Sequence, residues 1–278
     1  MAMELSLWSS YFVELSPEDA MARLSKNGIP AAELSTEHGA ALLARAKESG
    51  RSVFEVGEEF RRYLQRLPIK VTQGHLMLGA RIVSDPNAID TLKEWIDLYE
   101  AVGVREMVLH IDNYGANEHL TDDEVHAINL PPLRALAEHI RGRDICICLE
   151  NLVRAGVSKI DAILELLRKI GSDQFAITLD TGHLNIAKTT SQREFILRAG
   201  EKLHAIHIAD NEGTRDQHLM PFARGTVDFA EVVSALREIH YKGLFNYEIP
   251  GETARCPLAL RDAKLQFIRQ AYAYLMSL

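Results

Sequence analysis

Six short apolar segments of this chain each close on a histidine, an aspartate or a glutamate. VTQGH ends at His75, MVLH at His110, ICICLE at Glu150, AITLD at Asp180, AIHIAD at Asp210 with His207 inside it, and FNYE at Glu248. Runs of this length, bounded by polar stretches, read as buried strands. Strands that all end in ligand-type residues describe one site gathered at one end of a sheet. The stretch TLDTGHLN, Thr178 to Asn185, shows the pattern at its most compact: a strand delivers Asp180, a glycine turn follows, and His183 comes three residues later.

The rest of the chain supplies the matching alternation. Strands are expected at Met3–Trp8, Ala31–Ser35, Lys70–His75, Glu106–Ile111, Ile145–Glu150, Phe175–Leu179, Leu203–Ile208 and Leu244–Ile249. Between them lie helical patterns. The first opens at Ser16-Pro-Glu-Asp, with serine as cap and proline at the first position, and runs to about Lys26. Helical segments follow the second strand to Leu64, with a break near Gly50, and then run Asn87–Val102 and Asp122–Ile140, the latter interrupted at Pro131-Pro132. The last four are Lys159–Ile170, Ser191–Gly200, Phe229–His240 and Leu258 to about Leu275. Eight strand-then-helix units in 278 residues, with no linker or repeat, predict an α/β fold of one domain over residues 1–278, a closed (β/α)8 TIM barrel. An open nucleotide-binding sheet would need Gly-x-Gly-x-x-Gly after the first strand, and this loop reads SSYFVELS.

Side chains two apart on a strand share a face. If Glu150 points into the barrel mouth, Cys148 and Cys146 lie beneath it as small inert core residues, Ala205 lies beneath His207, and Asn246 beneath Glu248. With Cys256 these make three cysteines, a sparse and odd count that argues for a reducing compartment. The N-terminus lacks the basic segment and long apolar run of a signal peptide. No stretch approaches the ~20 apolar residues of a membrane span, so a cytoplasmic location is expected. A net charge of −8 gives no support to a nucleic-acid or acidic-lipid partner.

Glu150, Asp180, His207 and Glu248 come from strands five to eight. Three carboxylates and one imidazole suit one hard or borderline divalent cation, Mn²⁺, Mg²⁺, Co²⁺ or Zn²⁺. Trp8, Tyr11, Glu33 and His38 fall at or near the ends of the first two strands. Trp8 or Tyr11 would stack on a sugar face, Trp8 equally reads as core, and Glu33 reads as either a hydroxyl acceptor or a structural pair. His119, His126, His139, His204 and His240 fall on helices, in loops or off the inward face, and read as surface or structural.

ICLEN, TLDTGHLN, IHIADNEGTRDQHL and NYEIPGE resemble the xylose-isomerase-like TIM-barrel superfamily, which includes sugar isomerases and epimerases, inosose and dehydroshikimate dehydratases, and endonuclease IV. The resemblance implies that Glu150, Asp180, His207 and Glu248 hold a single metal and that Glu150 and Glu248 also move the proton, through an enediolate. It makes His183 a ligand for substrate oxygens and Arg215 a candidate to neutralise oxyanion charge, although Arg215 lies about two residues further from His207 than in the epimerases. His75, His110 and His218 complete the implied substrate contacts, with Trp8 the aromatic candidate from the end of the first strand. A dehydratase on the same metal is one alternative. A second is endonuclease IV-like: His75, His110, His183, Asp216 and His218 then become additional ligands for three Zn²⁺ acting on a phosphodiester.

Against that reading, the loops after strands one to three are short of lysine and arginine, and the segment after His218 carries Ala-Arg-Gly where the family has Gly-x-Gly. Arg215, Arg224 and Arg255 are the only basic candidates in the late loops, which favours an unphosphorylated sugar or a polyol-derived acid as the partner. The family's frequent dimers and tetramers leave a homo-oligomer open. A binding protein with a dormant site is disfavoured by the complete ligand set.

Overall fold

In the computed structural model, which describes residues 3–112 and 119–278, eight strands follow one another around a closed barrel and every neighbouring pair is parallel. They are β1 Glu4–Trp8, β2 Ala31–Leu34, β3 Lys70–His75, β4 Glu106–Leu109, β5 Cys146–Glu150, β6 Phe175–Asp180, β7 Leu203–Ile208 and β8 Leu244–Tyr247. The helices are α1 Pro17–Lys26, α2 Thr36–Ser49, α3 Val53–Leu64, α4 Ala88–Val102, α5 Asp122–Ile140, α6 Ile160–Ile170, α7 Thr181–Ala187, α8 Gln192–Ala199, α9 Phe229–Glu238 and α10 Leu258–Ser277. Serine or threonine caps open several of them. Ser16 accepts from the Asp19 amide, and Ser52 and Thr121 form reciprocal pairs with Glu55 and Glu124.

One apolar core lies between the strands and the surrounding helices. A second, smaller one fills the barrel: Val108, Cys146, Cys148, Ala176 and Ala205. The placement of Cys146 and Cys148 beneath Glu150, and of Ala205 beneath His207, is therefore observed. Asn246 is also buried and accepts a hydrogen bond from Ser6 Oγ at 2.8 Å.

Two local expectations need correction. Pro131 and Pro132 do not interrupt α5, which is continuous from Asp122 to Ile140. The prolines remove amide donors whose acceptors would be the carbonyls of Ala127 and Ile128. Ala127 is exposed and Ile128 half-buried, on a face where water can replace the lost partner, while Val125, Leu133, Leu136 and Ile140 anchor the opposite face in the core. Tyr11 is fully buried, donates its hydroxyl to the Arg261 carbonyl at 3.1 Å and packs edge-on against Phe12, so it is core and cannot stack on a ligand.

Candidate metal centre

The mouth of the barrel, at the C-terminal ends of the strands, collects the residues singled out in the sequence. Glu150 and Asp180 are the last residues of β5 and β6, His207 is the penultimate residue of β7, and Glu248 directly follows β8. All four are buried, and one ligand atom from each lies within 4.8 Å of the others. His207 Nδ1 stands 3.2 Å from Glu248 Oε2, 3.4 Å from Glu150 Oε1 and 4.0 Å from Asp180 Oδ2.

The orientation of each group has a local cause. Asp180 is the N-cap of α7: its Oδ1 accepts the His183 amide at 2.7 Å, which leaves Oδ2 for the mouth. Asn151, next after Glu150, clamps the strand end by accepting the Asp180 amide at 2.6 Å and donating to the Asp180 carbonyl at 3.0 Å. His207 Nε2 is 2.9 Å from Glu33 Oε2. This contact holds Nε2 on Glu33 and leaves Nδ1 facing the three acids. Glu33 is thus the structural pair, a positioning residue for His207, and is itself held by Gln73.

Glu150 Oε1, Asp180 Oδ2 and His207 Nδ1 are buried without a hydrogen-bond partner, and they converge. Orphaned buried polar atoms are costly unless something charged satisfies them. The electrostatics say which sign. Burial opposes ionisation of Glu150, but the neighbouring imidazoles of His110, His207 and His183 outweigh it and hold its carboxyl well below the ordinary range. Glu248 is lowered to about 2, with His207 and His218 overcoming burial. Asp180 is pushed up to about 6 by burial and by the charges of Glu150 and Glu248. Burial disfavours charge on His207, yet Glu33, Glu248 and Glu150 raise its pKa well above the histidine range. The four groups demand positive charge at their centre, from protons or from a cation, and their donor set fits a hard or borderline divalent ion.

The remaining histidines flank this cage in two groups. His75 and His110 place Nε2 at 3.4 and 2.8 Å from Glu150 Oε2. His183 and His218 place Nε2 at 3.3 and 3.0 Å from Asp216 Oδ2, and one atom each of Asp180, His183 and His218 comes within ligand reach of the others. In three of them a backbone carbonyl fixes the tautomer: Nδ1 of His75, His183 and His218 donates to the carbonyls of Leu76, Asn151 and Glu248 at 2.8, 2.9 and 3.0 Å. Each therefore presents Nε2 to the mouth. His218 adopts a left-handed backbone, φ 44°, a strained conformation for a non-glycine residue that aims its ring inward.

Other candidates have different roles. Asp210 stands outside the cage; its carboxylate accepts the amides of Asn211 and Val227, and its backbone pairs with Leu219, pinning the loop that carries Asp216 and His218. Gly225 is required there, because a Cβ would sit 2.0 Å from the Asp210 carboxyl carbon. Trp8 is buried on the same strand face as Ser6, one layer higher. Arg215, Arg224 and Arg255 are exposed. His126 and His139 are structural, bonded to the Gly156 carbonyl and to Asp97, and His38 is buried against Ser9. His204, read as surface or structural and off the inward face, is drawn partly inside by a register shift in β7 between Leu203 and Ala205. Sequence reasoning left Glu33 undecided and assigned Asn151 no role. The position of Asn151 directly after Glu150 was the available signal.

Residues 21–271 match the family description Xylose isomerase-like TIM barrel. The chain belongs to that family. Among curated relatives, the uncharacterized protein y4fM of Sinorhizobium fredii is 30% identical over 59% of this chain and 53% of its own length. The D-psicose 3-epimerase of Enterocloster bolteae is 30% identical over 40% of this chain and 36% of its own. "Probable endonuclease 4" of Mycoplasmopsis agalactiae is 24% identical over 70% and 74%. The first of these matches spans about half of the relative's length and the second about a third. The zinc-bound IOLI protein has the same fold, with a TM-score of 0.77 and 18% identity over 99% of this chain and 98% of that one. No helix among the described residues is long and apolar enough to cross a membrane.

Proposed function

We propose that this chain is a divalent-metal-dependent isomerase or epimerase of a small hydroxy-carbonyl substrate of the sugar or polyol class, with Glu150 and Glu248 as the proton-transferring groups. The observation that carries this reading is the buried cage whose unpartnered atoms, Glu150 Oε1, Asp180 Oδ2 and His207 Nδ1, face one another. Glu150, Asp180, His207 and Glu248 would hold the ion. When bound, it supplies Lewis-acid polarisation of a carbonyl and its neighbouring hydroxyl, which acidifies the carbon-bound hydrogen between them.

The chain's own residues do the rest. The imidazoles beside Glu150 and Glu248 keep both carboxyls ionised at neutral pH and so able to accept a proton. One removes the carbon-bound proton, and the other returns a proton on the same or the opposite face. The Nε2 atoms of His75, His110, His183 and His218 offer hydrogen bonds to the hydroxyls of a polyhydroxylated substrate, and Trp8 supplies an apolar wall. Arg215, from its loop, neutralises developing oxyanion charge. The similarity to an epimerase of a free ketose supports this substrate class. The test is incubation of the metal-loaded protein in D₂O with ketohexoses and cyclitol ketones, read by mass spectrometry. Deuterium in recovered substrate and product is expected. A product formed with loss of water, absorbing in the ultraviolet as an enone, would assign the dehydratase chemistry instead.

A second reading is favoured by the tautomers. Three histidines with Nδ1 fixed on carbonyls, together with His110 and Asp216, make a ligand set large enough for three Zn²⁺ ions, as in an endonuclease IV-like phosphodiesterase. Three mouth zinc ions per chain and cleavage of abasic DNA, without deuterium uptake, would replace the first reading by this one.

A further inference from the structure

The floor of the barrel, at the opposite end of the strands, carries a second ligand group that the proposed reaction does not use. Cys146 and Cys148, two apart on β5, both point into the barrel. The register of β6 against β7 runs Ile177 to Leu203 and then Thr178 to Ala205, so His204 is an extra, unpaired residue. A bulge of this kind re-aims a side chain. Leu203 stays in the outer core and Ala205 in the inner one, and His204 between them turns toward Cys146. One atom each of Cys146, Cys148 and His204 lies within 4.8 Å of the others.

The surroundings leave room for a ligand. The neighbouring inward residues Ala176 and Ala205 are small. The thiols meet strand carbonyls at 3.9 and 4.0 Å, long even for sulfur. His204 also lines a cleft of about 640 Å³ at this end, with Glu106 and Tyr241, and Glu106 is in register with Cys146 on the adjacent strand. The cleft exposes the His204 side of the group to solvent.

We propose that Cys146, Cys148 and His204 bind a thiophilic metal ion of the Zn²⁺ class, tying β5 to β7 at the floor of the barrel. Two thiolates and one imidazole are a soft donor set, unlike the oxygen-rich cage at the mouth. No thiol belongs to the mouth cage, so a thiolate signal that survives C256S reports the floor.

The test is titration of the metal-free full chain with Co²⁺, followed in the near ultraviolet for thiolate-to-cobalt charge transfer. A band that saturates at one equivalent beyond any cobalt taken up at the mouth is expected. It should persist in D180N and in C256S and be lost in both C146S and H204A. His204 is only partly buried, so H204A keeps the test valid if C146S fails to fold. A cobalt-loaded chain without the band, a band lost in C256S, or a band that survives H204A would overturn the proposal.

Discussion

The mouth and the floor of this barrel are built from the same strands, and they differ in kind. On β5 the mouth receives Glu150 and the floor Cys146, four residues or about 13 Å apart along the strand. On β7 the mouth receives His207 and the floor His204. At the mouth the donors are oxygens around one imidazole; Asn151 and the α7 amide hold Asp180, and Glu33 holds His207. At the floor the donors are two thiols and an imidazole, brought together by a bulge in one strand. The neighbouring inward residues Ala176 and Ala205 are small and apolar. The two proposed sites differ through the identity of the side chain at each level, hard oxygen donors at the mouth and soft thiols at the floor.

The largest test of this contrast lies at the mouth. E150Q and E248Q should each lower turnover by about 10²–10⁴-fold, the usual contribution of a positioned proton-transfer group, with modest loss of metal. Steady-state rates on the deuterium-exchanging substrate read it, and wild-type rates in both variants would remove the proton-transfer assignment. E33Q should come next, because it weakens the partner that orients His207. A drop in mouth metal affinity of about 10–100-fold is expected, measured by chelator competition, with the cobalt–thiolate band at the floor unchanged. Equal affinity would mean that His207 needs no such partner.

The smallest expected effect is on pH. Binding needs Asp180 ionised, and burial with the nearby acids places its carboxyl at about 6. Protons therefore compete below that pH. This group alone should cost about tenfold in metal affinity between about pH 7 and pH 5, with His207 acting in the same direction. A flat profile would contradict the assignment of Asp180 as a ligand.

The mouth was legible in the sequence because its acids and histidines close apolar runs, and a strand end in such a barrel has one address. Asp180 and His183 came with their own helix cap, and β7 ran from Leu203 to Ile208 as expected. Other features depend on partners far along the chain. Glu33 meets His207 across 174 positions, so its strand-end location alone left its role open. The bulge at His204 is a property of how β7 pairs with β6, and simple alternation placed that side chain off the inward face. The Pro131-Pro132 pair misled in the opposite way, since a local helix breaker was overridden by the packed face of α5.

The central claim is that Glu150, Asp180, His207 and Glu248 hold a divalent ion. The most direct test is the metal content of protein purified without chelator, by elemental analysis, in the native chain and in D180N. One divalent ion fewer per chain in D180N, with the fold intact by circular dichroism, is the predicted result. Equal metal content in the two proteins would contradict it.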